Sequence, residues 1–399
     1  MQSPVIKLYA TQRIQSLDVL KGTVMIIMTL DHVRDYLHDD SFFFDPLDLT
    51  QTSPALFFTR RITHFCAPVF VLLSGSSAFL SGRNKPKKQL ALFLLKRGLW
   101  LILLDVTVLS FVWYYDIYFR TITLDVIWAI GVGMICLAVL IFLEKKYILC
   151  IGFTFILFHN LVDNVHVPGN NLQAFLWNIL HERKVVTFFG VIFKSSYPVI
   201  PWIGVMAVGY VLGSLYGGDY DNSKRKRILL RTGVASIALF IILRSVNVYG
   251  NLTPWSQQPT AFFTFLSFIN LTKYPPSLDY LLVTLGCALL FLAYAERLPH
   301  RFAKITVVYG KVPLFYYALH LYIIHTAAMI VAEFTGFGWS SMTSLLQSIH
   351  QSPALKGFGF NLFTVYFSWL TVLAVTYPIC NWYGRYKETN REKWWLSYL

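Results

Sequence analysis

The chain has 399 residues, of which 56% are hydrophobic and 14% are charged, and its mean hydropathy is +0.54. Soluble proteins average about 25% charged residues, so this composition excludes a soluble globular fold, a disordered chain, a coiled coil and a disulfide-stapled secreted domain. The net charge of +14 lies in short connectors between apolar segments, a pattern that is typical of membrane proteins and predicts no nucleic-acid partner.

Hydropathy windows of about 20 residues predict the membrane-spanning helices in chain order. The predicted spans are 17–37, 64–82, 91–113, 124–143, 147–164, 199–217, 229–247, 278–296, 312–333 and 361–381. The sequence therefore predicts an all-α fold, a polytopic helical membrane bundle of about 10 (10–11) spans, which forms a single domain over residues 1–399.

Basic residues are concentrated in every second connector, and this sets the predicted orientation. Examples are Arg83 and Lys85 after the second span, residues 224–227 after the sixth, and Arg385 and Lys387 after the last. Because short connectors rich in Lys and Arg stay on the cytoplasmic side, both termini are predicted to be cytoplasmic.

Three segments on the predicted outer side are longer than ordinary connectors. They are residues 165–198, 248–277 and 334–360, and they are rich in Pro, Gly, Asn and aromatic residues. Two interpretations remain open: lids or re-entrant pieces near a site, or interfacial packing.

The first predicted span contains charged residues, which are costly inside a membrane and need a structural or functional reason. Asp18 and Lys21 are three residues apart and can form an ion pair. Lys21 and His32 are eleven residues apart, so they share one helix face, about 16 Å apart along the axis. A cation near the inner side and an imidazole near the outer side suit a long ligand such as acyl-coenzyme A, with a phosphate head and a reactive far end.

Four stretches of the sequence resemble a known family. Arg13-x4-Asp18-x2-Lys21-Gly22, followed by His32, resembles the first helix of transmembrane acyltransferases. More closely, the chain resembles bacterial relatives of the heparan-α-glucosaminide N-acetyltransferase catalytic domain over nearly its whole length. The other stretches that carry this resemblance are Thr63–Gly75, Lys273–Leu278 and Pro313–Leu321.

The resemblance implies an integral-membrane acetyltransferase that moves an acetyl group from cytoplasmic acetyl-CoA, its cosubstrate, to an amine or hydroxyl of an extracytoplasmic sugar or amino sugar. It implies a multi-pass protein of the bacterial inner membrane, with the lipid bilayer and a sugar or glycan acceptor as partners. Whether the protein forms a homodimer stays an open question at this point. The alternative function is a polytopic transporter or proton-coupled carrier that uses intramembrane Asp and His residues.

His32 is the predicted general base, since a neutral imidazole can take a proton from the acceptor and return it to the leaving thiol. Asp31 is its neighbour, and Asp35, three residues on, is in position to select the tautomer of His32. His38, in the segment that follows the helix, is the alternative base.

The predicted contacts of the cofactor's phosphates are basic residues near the inner side. Lys21 and Arg13 lie at the start of the first span, and Lys96 and Arg97 of the third span are further candidates. The structural alternative for Lys21 is its ion pair with Asp18.

Three residues are predicted to bind the acceptor. His64 either lines the outer mouth, with Arg60 and Arg61, or lies at the membrane interface. Lys273 is a site residue by resemblance, whereas composition alone makes it part of a rigid Pro-Pro turn. His325, in the ninth span, lies at about the depth of His32.

No metal site is expected from the sequence. His320 and His325 are about 140° apart around their helix, and the cysteines show no ligand spacing. Asp105, inside the third span, has two open interpretations: a structural pair with Arg244 or a His of another helix, or a role in the site. A polar group at the outer end of the fifth span, 159–166, is either an acceptor site or a solvated helix end.

Overall fold

The computed structural model describes residues 15–39, 41–218, 220–343 and 352–397, and Arg13 therefore lies outside the described residues. Helices dominate these residues. They are α1 (Gln15–Leu37), α2 (Pro54–Thr63), α3 (Cys66–Gly82), α4 (Lys87–Leu104), α5 (Ser110–Tyr114), α6 (Val126–Leu140), α7 (Lys145–Phe158), α8 (Leu172–Leu180), α9 (Val199–Gly213), α10 (Asn222–Val246), α11 (Ala261–Ile269), α12 (Leu278–Tyr294), α13 (His300–Lys311), α14 (Pro313–Phe334) and α15 (Leu362–Thr389).

Every predicted span coincides with a helix. The third span is α4 and α5 joined by a π-helical segment, Asp105–Leu109, and the fifth continues from α7 as a 3-10 turn. Among the described residues, seven helical stretches are long and apolar enough to cross a membrane. The charged α1, together with α4 and the short α6, is not among these seven. The structure thus has the helical architecture of an integral membrane protein, whereas the count of ten and the orientation stay predictions.

Helix α1 lies inside the bundle. It is packed against α2, α3, α13, α14 and α15, and most of its residues are buried, including Asp31, His32 and Arg34 of its second half. Neighbouring helices rather than lipid therefore surround these charges, which is where charged groups in a membrane protein are stable.

A small sheet, which the sequence did not predict, lies between the helices. Strands β1 (Thr121–Leu124), β2 (Val185–Phe188) and β3 (Val191–Ser195) are ordered β1-β3-β2. Strand β3 is parallel to β1 and antiparallel to β2. Both residues between β2 and β3, Phe189 and Gly190, have positive φ, which is the backbone of a tight hairpin turn. The sheet joins the long outer segment 165–198 to the start of α6.

Glycines allow helices α3 and α9 to meet backbone to backbone. A Cβ at Gly75 would lie 2.2 Å from the carbonyl oxygen of Met206, and one at Gly209 would lie 2.2 Å from that of Leu72. Without a hydrophobic driving force between membrane helices, close contact of this kind stabilises their association.

We expect Gly75→Ala to lower the free energy of unfolding by about 1–3 kcal/mol, because the added methyl group must push α3 away from α9. The measurement is the melting temperature in detergent. Gly384→Ala is the control, since its Cβ would meet nothing nearer than 3.9 Å and alanine is the better helix former by about 1 kcal/mol. Equal melting temperatures for the two variants would contradict this interpretation of the α3–α9 contact.

Candidate functional site

A cavity of about 1110 Å³, including its open mouth, lies beside the second half of α1. We call it the outer cavity, because this half of α1 faces the predicted outer side. Its lining includes Asp31, His32, Arg60, Trp113, Lys194 and Lys273. Residues from α1, α2, α5, the small sheet and the loop before α12 thus meet around one space.

A second cavity of about 1060 Å³ lies beside the first half of α1. We call it the inner cavity, and its lining includes Lys21, Met25, Ser77 and Arg97. Its surroundings are more apolar than those of the outer cavity, apart from the two cations. It therefore offers a basic end and an apolar interior.

The two cavities meet at a shared wall. Phe70, Val126 and Tyr317 line both of them. Along α1, Lys21 faces the inner cavity and His32 faces the outer cavity. Met25 and Met28, which lie between them at helical spacing, line the inner and the outer cavity respectively, which agrees with the prediction that Lys21 and His32 share one helix face.

The imidazole of His32 is held by a second buried histidine. Its Nδ1 lies 2.8 Å from Nε2 of His320, and the two rings stack with centroids 5.0 Å apart. Nδ1 of His320 in turn lies 2.6 Å from the carbonyl oxygen of Tyr316. Since a carbonyl oxygen only accepts, a neutral His320 donates from Nδ1 and accepts at Nε2, and His32 donates from Nδ1. The lone pair of a neutral His32 is then on Nε2, where a general base needs it.

The carboxylates beside His32 belong to an ion-pair cluster. The Asp31 carboxylate accepts from Arg34 at 2.7 Å and from Arg60 at 2.5 Å, and Asp35 pairs with Arg34 as well. The tautomer-selecting role that the sequence assigned to Asp35 goes to His320, because Arg34 draws the Asp35 carboxylate to itself. Both carboxylates nevertheless line the outer cavity.

The alternative base, His38, lies outside this arrangement. It follows α1, forms a backbone bridge with Phe360, and its Nδ1 lies 3.3 Å from Asp39. His38 is buried but is not part of the outer cavity's lining. The geometry therefore favours His32 as the group that meets a substrate.

Of the basic residues predicted to bind the cofactor, the structure brings two together. Lys21 and Arg97 both line the inner cavity, and the predicted ion pair of Lys21 with Asp18 is present at 3.9 Å. Lys96 is exposed on α4 and is not in that lining, because the neighbouring position on a helix points about 100° away.

Of the three residues predicted to bind the acceptor, only Lys273 lines the outer cavity. His64 is buried, lies 3.2 Å from Arg61 and packs against the ring of Tyr280. The two nitrogens of His325 lie 2.8 and 3.1 Å from backbone carbonyl oxygens. His325 is not in the lining of the outer cavity, whereas His320, five residues earlier on the same helix, contacts His32.

The expected pairing of Asp105 with Arg244 is wrong. Arg244 donates to the carbonyl oxygens of four residues, which are Thr253, Ser267, Phe268 and Asn270. Asp105 instead accepts from the backbone N–H of Asp125 at 3.1 Å. These four contacts join the end of α10 to the segment around α11, so Arg244 organises that segment.

Sequence reasoning missed several residues of the outer cavity. Arg183 and Lys194 come from the segment 165–198, and Asp125 lies just before α6. Burial, followed by the nearby Arg183, lowers the pKa of Lys194. The available signal was that these basic residues lie on the predicted outer side, where the positive-inside rule expects few.

The family model described as "Heparan-alpha-glucosaminide N-acetyltransferase, catalytic" matches residues 13–254, which is more than half of the chain. No curated protein sequence matches the chain. The matched region contains α1, both basic residues of the inner cavity and His32. The chain therefore belongs to the family of the heparan-alpha-glucosaminide N-acetyltransferase catalytic domain, and this family membership identifies it as a membrane acyltransferase.

Proposed function

We propose that this protein transfers an acetyl group from cytoplasmic acetyl-CoA to an amine or hydroxyl of an extracytoplasmic sugar or amino sugar. The observation that carries this proposal is the pair of cavities along one face of α1, with cations at the inner end and His32 at the outer end. Family membership supports the acyl transfer. The positive-inside rule supports the orientation, since it places the first half of α1 toward the cytoplasm.

Lys21 and Arg97 are the proposed contacts of the cofactor's phosphates. Charge-assisted hydrogen bonds from ammonium and guanidinium groups to phosphate are stronger than neutral ones. The apolar interior of the inner cavity would then hold the extended arm of the cofactor. Phe70 and Tyr317 line both cavities, so the thioester would have to pass these two side chains to reach His32.

His32 is the proposed base for direct attack. Its Nε2 takes the proton from the acceptor's amine or hydroxyl as that atom bonds to the thioester carbonyl carbon. When the carbon–sulfur bond breaks, the imidazolium returns this proton to the sulfur. Arg60 and Lys273, on the same cavity wall, are the proposed electrostatic partners of the oxyanion that forms between the two steps.

The test of cofactor binding is a melting curve of detergent-purified protein with acetyl-CoA, CoA and a nucleotide control. Saturating ligand should stabilise the protein, by about 2.7 kcal/mol at a concentration 100 times the dissociation constant. We expect Lys21→Ala and Arg97→Ala to weaken acetyl-CoA binding about 10- to 100-fold, because each removes a charged hydrogen-bond donor worth about 1.5–3 kcal/mol.

Lys96→Ala is the matched control, since it removes the same charge from the next position on α4 without touching the inner cavity. It should bind acetyl-CoA as the wild type does. If folded protein shows no shift at millimolar acetyl-CoA, the cofactor proposal fails, and flux assays for the transporter alternative become the next experiment.

A further inference from the structure

Three side chains that commonly bind metals converge at the outer end of α7. His159 begins the 3-10 turn that follows this helix, Asp163 comes directly after that turn, and His181 comes directly after α8. One ligand atom from each of the three lies within 4.8 Å of the other two. The sequence had presented only two of these residues together, because His181 is distant in the chain.

This cluster is buried and incompletely hydrogen-bonded. His159 is 4% exposed and His181 is 2% exposed, so these two imidazoles are not solvated, whereas Asn164 and His166 of the same polar group are exposed. Nε2 of His181 lies 2.8 Å from Asp163. Both ring nitrogens of His159 and the remaining nitrogen of His181 have no hydrogen-bond partner among the described residues. Buried polar atoms of this kind usually have a partner, and an ion is one explanation for its absence.

We propose that His159, Asp163 and His181 bind a divalent cation, with Zn²⁺ as the best match to the ligands. Two imidazole nitrogens and one carboxylate oxygen are a ligand set that zinc takes, at about 2.0–2.2 Å, with a water in the fourth position. Tetrahedral geometry with such bonds separates ligand atoms by about 3.4 Å, so modest side-chain rotations close the cluster. When the cation binds Nε2 of a neutral His181, the proton that Nε2 shares with Asp163 exchanges through solvent to Nδ1, so the imidazole stays neutral.

A supporting contact orients the carboxylate. Nδ2 of Asn160 donates to the other oxygen of Asp163 at 2.8 Å, and Oδ1 of Asn160 accepts from the backbone N–H of Leu278 at 2.9 Å. Metal sites commonly hold their carboxylates through such outer hydrogen bonds. Here the chain of contacts joins the cluster to the first residue of α12.

The position of the cluster indicates what the cation would do. His181 lies two residues before Arg183, which lines the outer cavity, and the same segment continues into β2 and β3. None of the three ligands lines the outer cavity as described. A cation at this position would hold the segment against α7 and thereby position its cationic side chains. This inference does not depend on the acetyl-transfer proposal.

The test uses the full chain in detergent, purified through an affinity tag without histidines. Zinc is removed with a chelator, then added back as a zinc salt, and both bound zinc per chain and melting temperature are measured. We expect about one zinc per chain and a rise in melting temperature. His159→Ala and Asp163→Asn should bind zinc at least 100-fold more weakly. His166→Ala is the control, since this exposed histidine of the same segment pairs with Glu182 and should bind zinc normally.

Asp163→Asn keeps the size of the side chain, so it serves if His159→Ala fails to fold. Wild-type protein that binds well below one zinc per chain at micromolar zinc, with an unchanged melting temperature, would overturn the proposal. Equal zinc binding by the wild type and a folded Asp163→Asn or His159→Ala variant would overturn it as well.

Discussion

Replacing His32 with alanine should lower the rate of acetyl transfer by about 10²- to 10⁴-fold, the usual contribution of a general base. The same variant should keep the melting shift with acetyl-CoA, because the proposed phosphate contacts lie in the inner cavity. The measurement is transfer of labelled acetyl groups to an amino-sugar acceptor by purified protein. We expect this effect because His32, among the histidines that the structure describes, is the one that lines the outer cavity.

His38→Ala is the matched control, since it removes a buried imidazole that is close in the chain but absent from the cavity lining. It should transfer acetyl groups at close to the wild-type rate. A His32→Ala variant that retains turnover, or a His38→Ala variant that loses it, would show that the base is misassigned.

His320 makes the prediction about His32 more specific. Its Nε2 accepts from Nδ1 of His32 at 2.8 Å, so it selects the tautomer and orientation of the base without facing the cavity itself. We expect His320→Ala to reduce turnover less than His32→Ala does, and to change the pH profile of the rate. A purely structural role would lower the melting temperature and leave the pH profile of the folded fraction unchanged.

Replacing Asp31 with alanine should lower the free energy of unfolding by about 3–5 kcal/mol, the typical loss when one partner of a buried ion pair is removed. Asp31 binds both Arg34 and Arg60, and the Arg34 side chain is 1% exposed. Without Asp31, Asp35 alone would have to compensate the buried guanidinium of Arg34. The measurement is the melting temperature and the denaturant midpoint in detergent.

Glu144→Ala is the control for this prediction. Its partner Lys146 lies at 2.9 Å, but both side chains are more than 60% exposed, so the loss should be below about 1 kcal/mol. The loss of unfolding free energy for Asp31→Asn should lie between those of the two alanine variants, because the amide keeps one hydrogen-bond acceptor. If Asp31→Ala has the same melting temperature as Glu144→Ala, the ion-pair cluster does not hold the outer half of α1 in place.

Helix periodicity explains why part of the site was predictable. The positions of Lys21 and His32 on one face follow from their separation along a single helix, which does not depend on the rest of the chain. The same holds for the ion pair of Lys21 with Asp18. Resemblance to the family, confirmed over residues 13–254, came from sequence patterns alone.

The partners of these residues were not predictable by the same means. His320 is 288 residues from His32, and the direction in which it points depends on how α14 is rotated about its own axis inside the bundle. That rotation also places His325 outside the lining of the outer cavity. Hydropathy shows that a helix crosses the membrane but not which neighbour each of its faces meets.

The sequence by itself determined the helical membrane fold, the positions of the ten helical segments, the family and the shared face of Lys21 and His32, because hydropathy and helical period are local properties. Only the tertiary structure decided how distant segments meet: the two cavities with a common wall, the pairing of His32 with His320, the small sheet that brings Lys194 to the site, and the cluster around His159. These depend on packing between helices far apart in the chain, and packing is a property of the whole bundle.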